Sequence, residues 1–300
     1  MKILVTGASG LVGTALTESL SSKGHKVMRL VRSQPVNDSN EIKWNPQAGE
    51  IDAGRLEGLD AVVHLAGENI SEGRWTDEKK RRIRESRVKG TQLLSETLAR
   101  MERKPRVLVA ASAIGFYGDR GAEVLTEKSA SGDDFLSEVC REWELATRPA
   151  SQSGIRVVNF RIGVILSDKG GALAKMITPF KFGLGGKIGS GEQYMSWVAL
   201  EDVVGAIEFA FESENLSGPV NLVSPNAVTN LEFTKSLGDA LSRPTFFFVP
   251  AFAARAAFGE MADALLLSSA RVEPERLKEA GYQFKYSEIE KALRHILKSA

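Results

Sequence analysis

Cysteine is almost missing from this chain. Cys140 is the single one in 300 residues, which excludes an internal disulfide framework and a thiolate metal cluster. Histidine is nearly as scarce: His25, His64 and His295 stand far apart, so a metal site would have to rest mostly on carboxylates. No apolar run approaches the roughly 20 residues that span a bilayer. The first strand pattern begins at Lys2, so no charged-then-apolar leader is expected. A cytoplasmic protein without a membrane partner is expected. Charge of one sign is lacking too: 39 basic and 38 acidic residues give a formal net of +1. That removes the electrostatic footprint of a dedicated nucleic-acid binder. Carboxylates at glycosidase spacing and a G-x-S-x-G nucleophile elbow are absent as well.

What the chain has is length and alternation. A chain of this size buries roughly 75% of the surface exposed by its unfolded state, so its core needs no staples. Short β-branched runs at residues 2–6, 26–31, 61–66, 106–111 and 156–162, with an edge candidate at 41–44, alternate with amphipathic helices. Runs such as Val62-Val63-His64-Leu65 and Val107-Leu108-Val109-Ala110 are apolar on both faces, as central parallel strands are. The spacing predicts right-handed βαβ crossovers and an α/β fold: a Rossmann-type doubly wound parallel sheet with a smaller C-terminal substrate lobe.

Residues 6–13 read Thr-Gly-Ala-Ser-Gly-Leu-Val-Gly between the first strand and the first helix. Gly7, Gly10 and Gly13, with Ser9, Leu11 and Val12, form a loop at which a helix N-terminus can meet a dinucleotide pyrophosphate. The second strand ends in Arg32-Ser33, where NAD-selective sites carry an acid, and no acid occurs until Asp38. A guanidinium and a hydroxyl suit a 2′-phosphate, so NADP(H) is favoured over NAD(H). Leu65, the small residues Ala66 and Gly67, and then Glu68 close the fourth strand where the adenine ribose would pass. His64 reads as a satisfied core histidine. A basic run, Lys79-Lys80-Arg81-Arg82 with Arg84, Arg87 and Lys89, lies on a helix starting near Thr76. Most of it reads as a solvated face. Arg87 is the exception assigned to the cofactor cleft.

The texture changes after residue 166, where glycines crowd 170–171 and 183–191. Long glycine-rich loops in compact folds are usually functional. Helices are expected over 201–211, 229–242, 251–268 and 287–298, with a strand at 220–223. The domain reading is 1–166 for the dinucleotide-binding part, 167–247 for the substrate lobe and 248–300 for a C-terminal helical module on the same body.

Thr6–Gly13, Leu65-Ala66-Gly67 and Ser112-Ala113-Ile114-Gly115-Phe116-Tyr117-Gly118 together resemble the extended short-chain dehydrogenase/reductase superfamily. Arg161-Ile162-Gly163-Val164 and Trp197-Val198-Ala199-Leu200-Glu201-Asp202-Val203 agree. Gly67-Glu68-Asn69-Ile70, Phe180-x-x-Gly183-Leu184-Gly185-Gly186 and Ile188-Gly189-Ser190-Gly191 resemble an atypical group within it. That group is labelled NAD-dependent epimerase/dehydratase-like and is related by name only to a cell-division inhibitor. Its members carry a small C-terminal helical module, which residues 248–297 would match. The resemblance covers the whole chain and adds Ala111 and Arg161 to the cofactor-binding set.

The resemblance also implies a Tyr and a Lys four residues apart, the phenol exchanging a proton while the nicotinamide exchanges hydride. Here those positions fall on Leu136 and Cys140. None of the four tyrosines is followed four residues later by lysine. Tyr117 and Ser112 are the remaining candidates for proton exchange, Cys140 reads as a core residue, and Glu68, Gln193 and Trp197 are candidates for lining a substrate pocket. Two readings stay open. One is an NADP(H)-dependent epimerase or oxidoreductase acting on a small polar or nucleotide-sugar-like molecule. The other is a non-catalytic NADP(H)-binding or sensing protein. A monomer or homodimer is expected, with no nucleic-acid partner.

Overall fold

The computed structural model describes residues 1–35 and 40–298; Asp38 lies outside them. Eight strands build one sheet: β1 (Lys2–Thr6), β2 (Lys26–Val31), β3 (Glu41–Asn45), β4 (Glu50–Ile51), β5 (Ala61–His64), β6 (Val107–Ala113), β7 (Arg156–Ile162) and β8 (Gly218–Leu222). Their spatial order is β8-β7-β6-β5-β1-β2-β3-β4, parallel except for the short β3–β4 pair. The chain moves outward from β1 to β4, then returns to β5 on the opposite side of β1. That reversal sets a switch point between β1 and β5, where Thr6 and His64 end in register.

Strand alternation divides the core between the two faces of the sheet. Ile3 and Val5 face helix α1 (Leu11–Ser22), through Leu16 and Leu20, and helix α4 (Leu200–Glu212), through Val203 and Ile207. Leu4 and Val62 face the other way, against Leu94 and Leu98 of α2 (Asp77–Arg100). Helix α2 starts where the sequence placed it. The Thr76 hydroxyl accepts the Lys79 N–H, and Asp77 and Glu78 stand in the positive first turn.

The later chain is woven into the main body. Residues 167–247 build part of a second apolar cluster around Leu173, Trp197, Phe233 and Leu237, closed by Leu293 and Ile296 from the C-terminal helix Ile289–Lys298. The same stretch sends α4 to one face of the main sheet and β8 to its edge. Buried Asp202, in the first turn of α4, fastens the C-terminal segment by accepting the N–H groups of Lys285 at 2.7 Å and Tyr286 at 3.0 Å. The single helix expected over 251–268 is broken into Ala251–Phe258, Glu260–Ala262 and a wide π-helical turn, Asp263–Leu267. Gly259 at φ +62° is the reason, because that backbone conformation leaves the helical basin.

The first strand-to-helix turn is closed by two glycines for steric reasons. A Cβ on Gly13 would sit 2.1 Å from the Gly7 carbonyl oxygen, and one on Gly7 would press on the backbone of Leu65 at 2.8 Å. Gly10 is looser: its Cβ would meet only the Gly7 oxygen, at 3.4 Å. Gly13→Ala is therefore expected to cost on the order of 2–4 kcal/mol in urea unfolding, and Gly10→Ala less than about 1 kcal/mol. Equal losses would contradict the assignment of Gly13 to close packing.

Candidate functional site

The carboxyl ends of β1, β2, β5, β6 and β7 bring the predicted residues to one edge of the sheet. The 7–13 loop lies against Leu65 and Ala66, and Gly67 follows beside Arg87 of α2. Gly10 caps α1 with no side-chain hydrogen bond, and no acid stands in that helix's first turn. The N–H groups there are thus presented outward with the positive end of the helix dipole, a fit for a diphosphate. Ser9, Arg32 and Ser33 are exposed, while Leu11, Val12 and Glu68 are half-buried. Lys79, one residue of the basic run, is not solvated. It is buried and donates to the Glu68 carboxylate at 2.8 Å, which holds that carboxyl below its usual range. Its neighbours Lys80, Arg81, Arg84 and Lys89 are paired with glutamates.

His64 is resolved by its partners. The Thr6 hydroxyl accepts the N–H groups of Leu65 and Ala66, so its own proton goes to His64 Nδ1 at 2.7 Å. Nε2 then carries the ring proton and donates to Thr91 at 2.9 Å. The ring is neutral, and burial pushes its pKa down to about 4. It fixes the strand ends beneath the cradle.

Deeper along the edge, Ser112 and Arg161 are cross-strand partners in β6 and β7. Both reach Glu144 of α3 (Phe135–Leu145). Arg161 grips the carboxylate through Nε at 2.8 Å and Nη2 at 2.9 Å, and the Ser112 hydroxyl donates to it at 2.8 Å. Arg161 Nη1 donates to the Tyr117 hydroxyl at 3.0 Å, and that hydroxyl lies 2.7 Å from Asn221 Oδ1 and 3.0 Å from the Thr126 carbonyl. Tyr117 is fully buried, and burial raises its phenol above its ordinary pKa, with Arg161 opposing. Tyr117 and Ser112 thus stand inside a satisfied polar network beneath the sheet edge. Ala111 is half-buried in the same strand, next to Ser112.

Above this network lies a cavity of about 310 Å³. Sheet ends Ala113, Ile162 and Gly163 floor it, and α3 supplies Leu136, Cys140 and Trp143 as one wall. Leu136 and Cys140, at the positions where the resemblance expects Tyr and Lys, stand one turn apart on that wall. Cys140 is buried, and burial pushes its thiol up to about 12, far from a nucleophilic thiolate. The opposite wall comes from residues 264–270, a contribution that no local pattern announced. Gln193 lines the cavity as expected, its amide donating to the carbonyls of Ile188 and Leu266. Trp197 does not. It is fully buried in the second apolar cluster, with its indole N–H on the Asn226 carbonyl. Glu68 stays with Lys79, outside the lining. Among the described residues no cluster of histidine, cysteine and acids could hold a metal, and no helix is long and apolar enough to cross a membrane.

A doubly wound sheet, a glycine-closed turn at an uncapped helix and a cavity beyond the strand ends define a Rossmann-type protein of the short-chain dehydrogenase/reductase kind. Residues 3–222 match the NAD dependent epimerase/dehydratase family, to which the chain belongs, and residues 249–296 match a domain of unknown function, DUF1731. It is similar to epimerase family protein Mb2239 of Mycobacterium bovis, 48% identical over 97% of this chain and 96% of that one. The crystal structure of human epimerase family protein SDR39U1 (isoform 2) with NADPH superposes with a TM-score of 0.93. It is 35% identical and covers 100% of both chains. The nucleoside-diphosphate sugar epimerase of Corynebacterium glutamicum gives a TM-score of 0.82 and 40% identity, covering 99% of this chain and 58% of that one.

The buried imidazole yields a pH prediction. Unfolded, it titrates near ~6.5; folded, near about 4. Its protonation therefore favours the unfolded chain. The stability it contributes is whole above pH ~6.5 and is lost as pH falls toward 4, by on the order of 3 kcal/mol. His64→Gln is expected to flatten the dependence of unfolding free energy on pH across that window. Equal slopes for both proteins would assign the acid sensitivity elsewhere.

Proposed function

We propose that this protein binds NADP(H) at the β1–β5 switch point and presents a small organic substrate from the adjoining cavity, as an epimerase or oxidoreductase. The observation that carries the reading is the uncapped, acid-free N-terminus of α1 behind the sterically obligatory Gly7 and Gly13. The NADPH held by the human relative supports it. In this reading the α1 N–H groups take the pyrophosphate, Arg32 and Ser33 take the 2′-phosphate, and Leu65 to Gly67 let the ribose approach the backbone. The bound nicotinamide supplies or accepts hydride. The chain's part is to orient the reacting carbon, exclude water with the apolar cavity walls, and hold the exchanging proton at a hydroxyl, with Tyr117 and Ser112 as candidates.

A second reading, cofactor binding without turnover, draws on the same residues. The Tyr117 and Ser112 hydroxyls are spent within the polar network, and Leu136 and Cys140 bring no proton donor of suitable pKa to the cavity.

NADPH is expected to raise the melting temperature more than NADH at equal concentration, and Arg32→Glu is expected to reverse the order. Equal shifts, or an unchanged preference in the variant, would remove Arg32 from cofactor choice. Tyr117→Phe leaves Asn221 and Arg161 short of a partner and is expected to cost about 1–3 kcal/mol of stability. On any substrate that is turned over, the variant is expected to be at least tenfold slower. A rate equal to wild type would exclude the phenol as proton donor.

A further inference from the structure

The cavity wall carries donors that no protein acceptor meets. Arg87 reaches it from α2, where its Nη1 donates to the carbonyls of Glu68 at 3.1 Å and Ile83 at 3.2 Å. Nε and Nη2 make no hydrogen bond among the described residues, and no carboxylate pairs with the group. Burial holds this guanidinium below its ordinary pKa, with the charge of Glu68 opposing in part. Its Cζ lies 5.0 Å from the centre of the Trp143 ring. Trp143, 6% exposed and lining the same cavity, has an indole N–H without any partner. A buried donor left unmet costs about 1–3 kcal/mol. The Trp143 indole N–H is such a donor, and beside it the half-buried Arg87 turns an uncommitted guanidinium edge to the cavity, so this wall suits an oxygen-rich, negatively charged ligand group.

The remaining lining limits what can bear that group. Ile70, Val139, Met176, Met195 and Leu265 make most of the surface apolar. The acid present, Asp134, already caps α3 by accepting the Ser137 N–H at 2.8 Å. Among the described residues Arg87 is the sole Lys or Arg of the lining. A nucleoside diphosphate brings two charges to be clamped, and the cavity offers one fork near a fixed carboxylate. Its volume also sits at the small end of the roughly 300–1,000 Å³ typical of ligand pockets. A planar monocarboxylate matches a single guanidinium fork.

We propose that the cavity binds a small, mainly apolar carboxylic acid, its carboxylate on Arg87 and Trp143 and its hydrocarbon part against the walls of α3 and residues 264–266. This deepens the proposed function and rests on it for the placement of the cofactor. An anionic oxygen of the cofactor could draw on the same donors, so the test separates the two sources.

The probes are straight-chain 2-oxo acids of four to ten carbons and 4-phenyl-2-oxobutanoate, each with its methyl ester, and UDP-glucose. Binding is read by tryptophan quenching and thermal shift with saturating NADPH. At least one acid is expected to bind tenfold or more tightly than its ester. The sequence assigned Arg87 to the cofactor cleft, whereas on this proposal it serves the cavity it lines, so Arg87→Gln is expected to erase that difference while moving NADPH affinity less than threefold, and Arg87→Lys to restore part of it. Trp143→Phe is expected to weaken the acid severalfold and leave its ester unchanged. The proposal is overturned if no acid outbinds its ester in wild type, or if UDP-glucose binds more tightly than every acid. It is also overturned if Arg87→Gln costs NADPH affinity and leaves the acid–ester difference intact, which would give Arg87 to the cofactor. An absent NADPH shift in wild type strikes the proposed function instead, since the acid–ester comparison can be read by quenching without cofactor.

Discussion

The forked grip of Arg161 on Glu144 sets the geometry of the ligand end. A buried ion pair gains little net stability, but leaving one partner alone costs roughly 3–5 kcal/mol, so each group holds the other in place. Arg161 belongs to the sheet and Glu144 to α3. Their contact fixes the helix whose preceding turns present Leu136, Cys140 and Trp143 to the cavity. The network runs on through Tyr117 to Asn221 on β8, and the Asn221 amide donates to the Glu273 carbonyl at 2.9 Å. A residue near the C-terminus is thus tied to the switch-point edge of the sheet. The floor, one wall and the covering segment share one hydrogen-bonded spine.

That spine separates two kinds of site. The cofactor cradle is made largely of backbone: glycine clearances, outward N–H groups and a helix dipole. It depends on chain path and tolerates many neighbours. The cavity is made of side chains drawn from many separate stretches between Ile70 and Ala270, so its chemistry is particular to this sequence. Family membership therefore speaks strongly for the nucleotide end and weakly for the substrate end. Polar groups that other arrangements would turn toward a substrate are here turned inward, onto Glu144 and Asn221.

The same division decides what could be read in advance. Strand runs, the 7–13 loop, the Thr76 cap and Arg32-Ser33 are local signals, each complete within a few residues, and the strands and α2 lie where those signals put them. Neighbouring positions of one strand part in the same way: Ser112 turns to Glu144 and Ala113 to the cavity. Lys79 looked like surface because its partner, Glu68, lies eleven positions away on a different element. Residues 251–268 carry enough alanine and leucine to read as one helix, yet Gly259 outweighs that propensity. The wall formed by residues 264–270 depends on where the broken helix is carried, a tertiary fact with no local trace.

Unmet donors in a finished core are informative for the same reason that buried polar groups are usually paired. The Arg161 guanidinium is met by a carboxylate, a hydroxyl and the Phe116 ring at 3.4 Å. Arg87, a few residues deep in the same end of the fold, is met by two carbonyls and the Trp143 ring. One arginine has its counter-charge within the protein, and the other faces the cavity without one. A structure able to supply Glu144 to the first could have supplied an acid to the second. Arg87 instead keeps one guanidinium edge uncommitted at the cavity, where a negatively charged ligand would meet it.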